Sequence, residues 1–449
     1  MKRILIIGAG RSATSLINYL LNLAPTENWR ILVADADEEL AIRKVHGSEF
    51  GEAIGFDARN EAKRQELIAK CDLVISMLPA SMHIDVVKDC ITLKKHIITP
   101  SYITNEMKAL DAEAKKAGIW VLNEMGLDPG IDHMSAMQVS DKRKAGGGKM
   151  TCFESFTGGL VAPESDNNPW GYKFTWNPRN VVLAGQGGTV KFIQEGKYKY
   201  IPYHKLFRRT EKIKIKDFGK YEGYANRDSL KYRSIYGLEG IPTIFRGTLR
   251  RPGFCRSWNM FIQLGMTDDS YEMDGVATMT HREFVNSFLA YNKHDSVELK
   301  TMHYLGLSQD DDEYMERLTW LGLFDDELVG LEKGSPAKIL QHILEKKWTL
   351  APEDKDMIVM WHKFGYTQNG EHKEINSSMV MLGKNQDETA MAMTVGLPLA
   401  IIAKHILKGN INRTGVELPI YKEVYEPVLA ELETLGCHFN EEHVAPTFY

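Results

Sequence analysis

The run ILIIGAGRSATSLI, residues 4–17, decides the fold: an apolar strand, a GxGxxA turn built on Gly8, Gly10 and Ala13, then a helix. Twenty-two residues beyond Ala13 a second apolar run, ILVA, ends on Asp35. That is the spacing of a βαβ unit that binds a dinucleotide. Gly8 permits the tight turn, Gly10 presents no side chain to the pyrophosphate, and Ala13 lets the helix lie close to the sheet. The helix start offers N–H groups and a positive dipole end to the phosphates. Asp35 can accept both hydroxyls of an adenine ribose and would repel a 2′-phosphate, so the expectation is NAD before NADP. Arg11, directly after Gly10, could still meet a phosphate.

At 449 residues the chain is too long for one ordinary core and is expected to hold roughly two or three domains. Its net charge of −5 argues against a nucleic-acid surface or a polybasic membrane patch, and KIKIK at 212–216 reads as one solvated strand face. The five cysteines, Cys71, Cys90, Cys152, Cys255 and Cys437, have no CxxC spacing and fit reduced, buried thiols. No uninterrupted apolar run of about 18 residues is expected, and a strand directly after MKR does not read as a signal peptide, so the expected setting is soluble and cytoplasmic.

Residues 1 to about 125 alternate apolar strands (CDLVISMLP, HIITPS, IWVLNE after ILVAD) with helical stretches, the pattern of a parallel sheet covered on both faces. Thr104 can cap a helix through NEMKALDAEAKKAG that stops at Gly118. In such sheets ligands sit at the carboxyl ends of the strands, which nominates the segments after Ser76, Pro100 and Asn123. From about 126 the texture turns to β-like alternation: FESFTGGL, KYKYIPY, EKIKIKDF and PTIFRGTLR read as strands of a mixed sheet. From about 276 to 365 it is helical, and 387–409 is a long apolar helix expected to pack back on the first domain.

NEMGLDPGIDH, residues 123–133, follows a predicted strand. Asp128 and Asp132 are candidates for a cationic or protonated group and His133 for proton transfer; equally, Asp128 could cap a helix beginning at Pro129. A basic set, Arg227, Arg246, Arg250 and Arg251, could clamp carboxylates or pair with surface acids. KAGGGKMT lacks P-loop spacing, and CHFNEEH, with Cys437, His438 and His443, lies outside zinc spacing, so no metal site is expected.

Eight stretches together resemble the saccharopine dehydrogenase family, in its glutamate-forming, saccharopine reductase branch: GAGRSA, MLPASMH, PSYIT, NEMGLDPGIDH, GGLVAPESDNNPWGYKFTW, YANRDS, FRGTLR and AMTVGLP. The resemblance implies an α/β protein with a Rossmann NAD(P)-binding domain over 1–125 and about 390–449. A mixed α/β domain for substrate and dimer contacts would cover about 126–275 and 366–389, with a small helical insert at about 276–365. It implies oxidation of the secondary amine of saccharopine, or its reverse, in a homodimer. Ser101, Tyr102, Asp128, Arg227, Thr248, Leu249 and Arg250 would contact substrate, with Asp128 the catalytic candidate. Gly8, Gly10, Arg11, Ser12, Ala13, Asp35, Asp57, Ala58, Leu78, Pro79, Leu127, Pro129, Gly130, Ile131, Asp132 and His133 would line the dinucleotide.

Two departures stand out. Thr157 occupies a position where members commonly carry cysteine, which removes a thiol from proton transfer. Asp35 stands where fungal members tend to carry a basic residue. The competing readings are a carboxynorspermidine or carboxyspermidine dehydrogenase, which would need fewer carboxylate clamps, and a non-catalytic NAD-binding protein, which would be expected to lose its pocket acids and arginines.

Overall fold

The computed structural model describes residues 1–447. They divide into two compact units, Met1–Met150 with Phe364–Pro446, and Thr151–Lys363. The strands, in chain order, are β1 (Lys2–Ile7), β2 (Trp29–Asp35), β3 (Gly51–Gly55), β4 (Leu73–Ser76), β5 (His96–Ile98), β6 (Trp120–Leu122), β7 (Lys149–Val161) and β8 (Val190–Gln194). They continue with β9 (Lys197–Ile201), β10 (Thr210–Ile215), β11 (Gly219–Ala225), β12 (Thr243–Arg250), β13 (Asp356–Gln368), β14 (Glu371–Leu382), β15 (Gly415–Glu417) and β16 (Phe439–Val444).

In the first unit a parallel sheet runs β15-β6-β5-β4-β1-β2-β3. Ile4, Leu5 and Ile6 of β1 are fully buried, as expected of a strand covered on both faces by βαβ crossovers. In register, Ile4 sits between Ile31 of β2 and Leu73 of β4. Chain order reverses there, with β2 and β3 to one side of β1 and β4, β5 and β6 to the other, which makes the β1/β4 edge the switch point where ligands bind. β15 joins this sheet from the C-terminal segment by pairing with β6, Val416 against Val121.

The expected helix after Thr104 is broken in two, Asn105–Ala109 and Asp111–Ala117, at Leu110. The Thr104 hydroxyl accepts from Met107 N at 3.1 Å, and Gly118 at φ 71° ends the second piece. The late apolar helix expected within 387–409 is Ala390–Leu407; although Lys404 and His405 interrupt it, it is long and apolar enough overall to cross a membrane, which the sequence reading did not expect. It is mostly buried and packs on the helices Thr14–Glu27 and Lys422–Thr434 of its own unit.

In the second unit the order is β10-β11-β12-β7, with β8 and β9 branching from β12. All four expected strands are there, in β7, β9, β10 and β12. The helical stretch ends at Trp348, because residues 356–365 belong to β13.

The division by contacts also moves residues 126–150 and 366–389 from the expected substrate domain into the first unit. The reason is packing. The helix Ile131–Ala145 lies on Lys422–Thr434, with Tyr425 donating to Asp141 at 2.8 Å, and β14 pairs antiparallel with β16.

Candidate active site

Every expected site residue of the first unit lies at or beyond the carboxyl end of a parallel strand. After β1, Gly8 takes φ 105°, which an L side chain rarely adopts, and a Cβ there would meet Met77 O at 2.9 Å. At Gly10 a Cβ would meet nothing within 4 Å, so the space beside the turn is open. The 3-10 turn Arg11–Ala13 that follows has no side-chain cap. Arg11 is exposed, Ser12 is half-buried and Ala13 is packed inward. An open cradle at an uncapped helix start fits the pyrophosphate of a nicotinamide dinucleotide.

Asp35 ends β2 half-buried, and its carboxylate braces the turn: Oδ2 accepts from Ala9 N at 2.7 Å and Oδ1 from Asp37 N at 2.9 Å. Beyond β3, exposed Asp57 holds Arg59 at 2.6 Å, which pulls its carboxyl down to about 2, with Ala58 buried beside it. Leu78 and Pro79 follow β4.

After β5 come Ser101 and Tyr102, both half-buried; after β6 comes the loop with Asp128. The Tyr102 hydroxyl donates to Asp128 Oδ1 at 3.0 Å, bringing together two residues separated by a whole βαβ unit. Asp128 does not cap a helix at Pro129. The helix begins at Ile131, and the N–H of Gly130 is taken by Asp132 Oδ1 at 2.6 Å. Gly130 at φ 147° is obligatory, since a Cβ would lie 2.0 Å from Gly126 O.

That geometry corrects several expectations. Ile131, Asp132 and His133 are at most 1% exposed. His133 Nε2 lies 2.7 Å from Glu124 Oε2, so the imidazole faces the protein interior rather than a reacting group. The carboxylate of Asp132 holds backbone instead of a ligand cation. Leu127 and Pro129 are buried as well, leaving Asp128 as the half-exposed side chain of the loop.

His83, just beyond β4, is 2% exposed and was quoted in the sequence only as part of a motif. Its Nδ1 lies 2.8 Å from Ser76 Oγ, and its Nε2 lies 2.7 Å from Ser101 Oγ and 3.0 Å from Thr99 Oγ1. Hydroxyls alone surround the ring, and burial depresses its pKa from 6.5 to about 4. Between those values the unfolded chain binds a proton that the folded one refuses, so this stabilising term is intact above 6.5 and shrinks as pH falls towards 4. Going from pH 7 to pH 4.5 should therefore remove about 2–3 kcal/mol of unfolding free energy through this group. Urea unfolding of the parent and of His83→Asn at both pH values checks it: the variant should lack that part of the pH dependence.

In the second unit Arg227 follows β11, exposed and in the left-handed region at φ 52°. Thr248, Leu249 and Arg250 end β12. Strand alternation puts Arg246, Thr248 and Arg250 on one face, with Thr157 of β7 and Tyr224 of β11 in register beside Thr248. Leu249 points to the other face and is fully buried, so its expected substrate contact is reduced to backbone. Arg251, also on the opposite face, donates to Phe218 O at 3.0 Å and lies over Tyr221. Arg246 stacks 4.2 Å from the centre of the Tyr232 ring.

Arg250 is the unusual member. It is 4% exposed, its guanidinium sits 4.9 Å from the Tyr172 ring, 5.3 Å from Phe254 and 5.8 Å from Tyr224, and no acid pairs with it among the described residues. Its one hydrogen bond goes to Leu249 O at 2.9 Å, and its Nε has no partner. Thr157 Oγ1 is likewise buried without a partner among the described residues. Burial pushes the Tyr172 phenol up to about 12, so it stays a hydrogen-bond donor. The aromatic rings contribute roughly 0.5–2 kcal/mol each to holding a cation. They do not match the several kcal/mol that burying an unpaired charge costs, nor do they satisfy the guanidinium N–H groups. Sequence reasoning missed Tyr172 and Tyr224: the register of β11 on β12 brings Tyr224 there, and tertiary packing of the segment after β7 brings Tyr172.

Residues 4–122 match the family model described as the saccharopine dehydrogenase NADP binding domain, and residues 126–437 the one described as the saccharopine dehydrogenase C-terminal domain. The chain is 33% identical over 452 residues to saccharopine dehydrogenase (NADP(+), L-glutamate-forming) of Saccharomyces cerevisiae, covering 99% of this chain and 100% of that protein. It is 34% identical to mitochondrial alpha-aminoadipic semialdehyde synthase of Rattus norvegicus, covering 98% of this chain and 48% of that longer protein, so it spans about half of it. Among solved structures, apo saccharopine dehydrogenase (L-Glu forming) from Saccharomyces cerevisiae superposes with a TM-score of 0.90 at 31% identity, over 99% of this chain and 100% of that one. Homospermidine synthase from Legionella pneumophila, with a TM-score of 0.56 and 9% identity over 99% of this chain and 91% of that one, shares the fold alone.

Proposed function

This chain belongs to the saccharopine dehydrogenase family, and on that premise we propose that it is an NAD(P)-dependent oxidoreductase acting on the CH–NH bond of saccharopine. Saccharopine, water and the oxidised dinucleotide give glutamate, aminoadipate semialdehyde, the reduced dinucleotide and a proton; the reverse is a reductive condensation. The observation that carries this reading is Arg250, a buried guanidinium with donor atoms to spare and no acid of its own. A substrate carboxylate supplies the missing partner through paired hydrogen bonds.

A bound dinucleotide would supply the hydride acceptor for oxidation at a carbon attached to the secondary amine. This chain's residues hold and orient. Arg250, over the Tyr172 ring and on the strand face it shares with Thr248, takes one carboxylate, and Arg227 another. Asp128, oriented by Tyr102, takes an ammonium, and Ser101, held by His83, adds a donor. Transfer to carbon requires alignment rather than an acid at the carbon. Because Thr157 has no thiol to lend, the proton leaving the amine goes to Asp128 or to water.

Absorbance at the reduced-nicotinamide band, with saccharopine and carboxynorspermidine offered in parallel, tests the proposal. Turnover of saccharopine supports it; turnover of carboxynorspermidine alone, or dinucleotide binding without turnover of either, refutes it.

Within this reading the dinucleotide is NAD in preference to NADP. Asp35 is followed by Asp37, Glu38 and Glu39, and of the nearby cations Arg59 is engaged by Asp57 and Arg43 by Asp37 and Glu39, which leaves Arg11. A 2′-phosphate would meet net negative charge. NADH should bind at least about tenfold more tightly than NADPH by nicotinamide fluorescence. Asp35→Asn, which keeps an acceptor for Ala9 N, should shrink that ratio several-fold; an unchanged ratio would remove Asp35 from discrimination. A cytoplasmic homodimer is part of the proposal. The five buried free thiols are consistent with a reducing compartment, and sedimentation of the purified chain reads the assembly.

A further inference from the structure

Glu124 is absent from every role assigned above, yet it sits where the two substrate-bearing segments of the first unit meet. Its backbone is left-handed, φ 57°, a conformation costly for glutamate and retained only where surroundings impose it. Its side chain is 2% exposed. Oε1 accepts from Ile103 N at 2.9 Å, directly after Ser101 and Tyr102. Oε2 lies 2.7 Å from His133 Nε2, on the first turn of the helix that follows Asp128. The Glu124 N–H donates to Ser101 O at 3.1 Å. On the far side of the imidazole, Nδ1 is 3.7 Å from Asp132 Oδ2, and Asp132 in turn holds Gly130 N.

We propose that Glu124 is a positioning residue. Through Ile103 on one oxygen and His133 on the other, it fixes the distance between the Tyr102 segment and the Asp128 loop, and so sets the Tyr102–Asp128 contact that receives the substrate ammonium. The inference rests on the substrate roles proposed for Tyr102 and Asp128. It also gives His133 a function that its burial allows: an anchor for Glu124 rather than a proton carrier. A carboxylate whose two oxygens tie separate segments is the kind of support that keeps a binding constellation within a fraction of an ångström.

The left-handed backbone supplies a clean test, because glycine adopts φ 57° without strain. Glu124→Gly removes the carboxylate while easing the backbone. The expected result is a fold that melts close to the parent and binds NADH within about threefold, with kcat/KM for saccharopine lower by about 30-fold or more. Glu124→Gln, which can still accept from Ile103 N, should recover part of the loss. Should Glu124→Gly fail to fold, His133→Leu, which has no donor for Glu124, removes the tie to the helix and carries the same expectation on kcat/KM.

The proposal is overturned by kcat/KM within about twofold of the parent, by Glu124→Gln performing no better than glycine, or by saccharopine kinetics and NADH binding failing together. Hydrogen exchange at the Ile103 amide reads the tie without any substrate. Protection in the parent that falls at least about tenfold in Glu124→Gly supports it even if saccharopine proves inert, in which case the functional reading fails by itself; unchanged protection refutes the tie.

Discussion

Arg250→Met lowers kcat/KM for saccharopine by about 1000-fold and leaves NADH binding intact, while the protein melts about 2 °C higher than the parent. Both halves follow from one fact. The guanidinium is 4% exposed and lacks a carboxylate partner among the described residues, so without substrate it costs desolvation that its ring contacts and single backbone hydrogen bond repay only in part. Methionine fills similar volume against Tyr172 and Phe254 and carries no charge, so the empty protein gains stability as the clamp is lost. Arg250→Lys is not conservative, since a point charge cannot reproduce the paired hydrogen bonds of a planar fork, and a loss of about 100-fold is expected. Steady-state kinetics beside a melting curve check the pair. Loss of activity with a lower melting temperature would make Arg250 a structural residue.

Asp128→Ala raises KM for saccharopine by about 100-fold with a smaller fall in kcat. The carboxylate stands half-exposed in its loop, and its Oδ1 accepts from the Tyr102 hydroxyl at 3.0 Å. Its assigned task is to hold an ammonium, and a charge-assisted hydrogen bond of that kind is worth about 1.5–3 kcal/mol. Asp128→Asn separates charge from orientation, because the amide oxygen still accepts from Tyr102. If charge is what matters, asparagine does nearly as badly as alanine; if asparagine works well, Asp128 acts by orienting Tyr102. Initial rates over a range of saccharopine concentrations distinguish the two.

The dinucleotide half of the site was legible because its signals are local: a strand, a turn and an acid at fixed spacing, each with its own steric or electrostatic reason. Gly8 and Gly10 stand in the structure as the motif requires. What the motif could not show is that Asp35 also braces the turn through Ala9, a contact across 26 residues. The substrate half was legible only as a set of candidate residues. Strand alternation along TIFRGTLR would by itself have placed Leu249 on the face opposite Arg246 and Arg250, a signal present in the sequence and unused. The isolation of Arg250 needed the pairing of three strands, and pairing register is not written in any one of them.

In the loop 123–133 the structure separates residues that the sequence grouped together. Asp132 and His133 looked like ligands because acids and histidines carry chemistry, but burial turned them into supports. Nothing in the sequence signals that Glu124 is left-handed, because glutamate seldom is. The unit boundaries moved for a similar reason, since the helix Ile131–Ala145 belongs with a partner almost three hundred residues further on, a pairing that no local pattern signals.

Which carbon–nitrogen bond of saccharopine is opened defines the reaction. The most direct measurement is the amino acid released per reduced dinucleotide formed when the purified protein acts on saccharopine with NAD. One glutamate for each NADH, with aminoadipate semialdehyde as the second product, is the predicted result. Lysine with 2-oxoglutarate would place the oxidation on the other side of the nitrogen and contradict the reaction proposed for this chain.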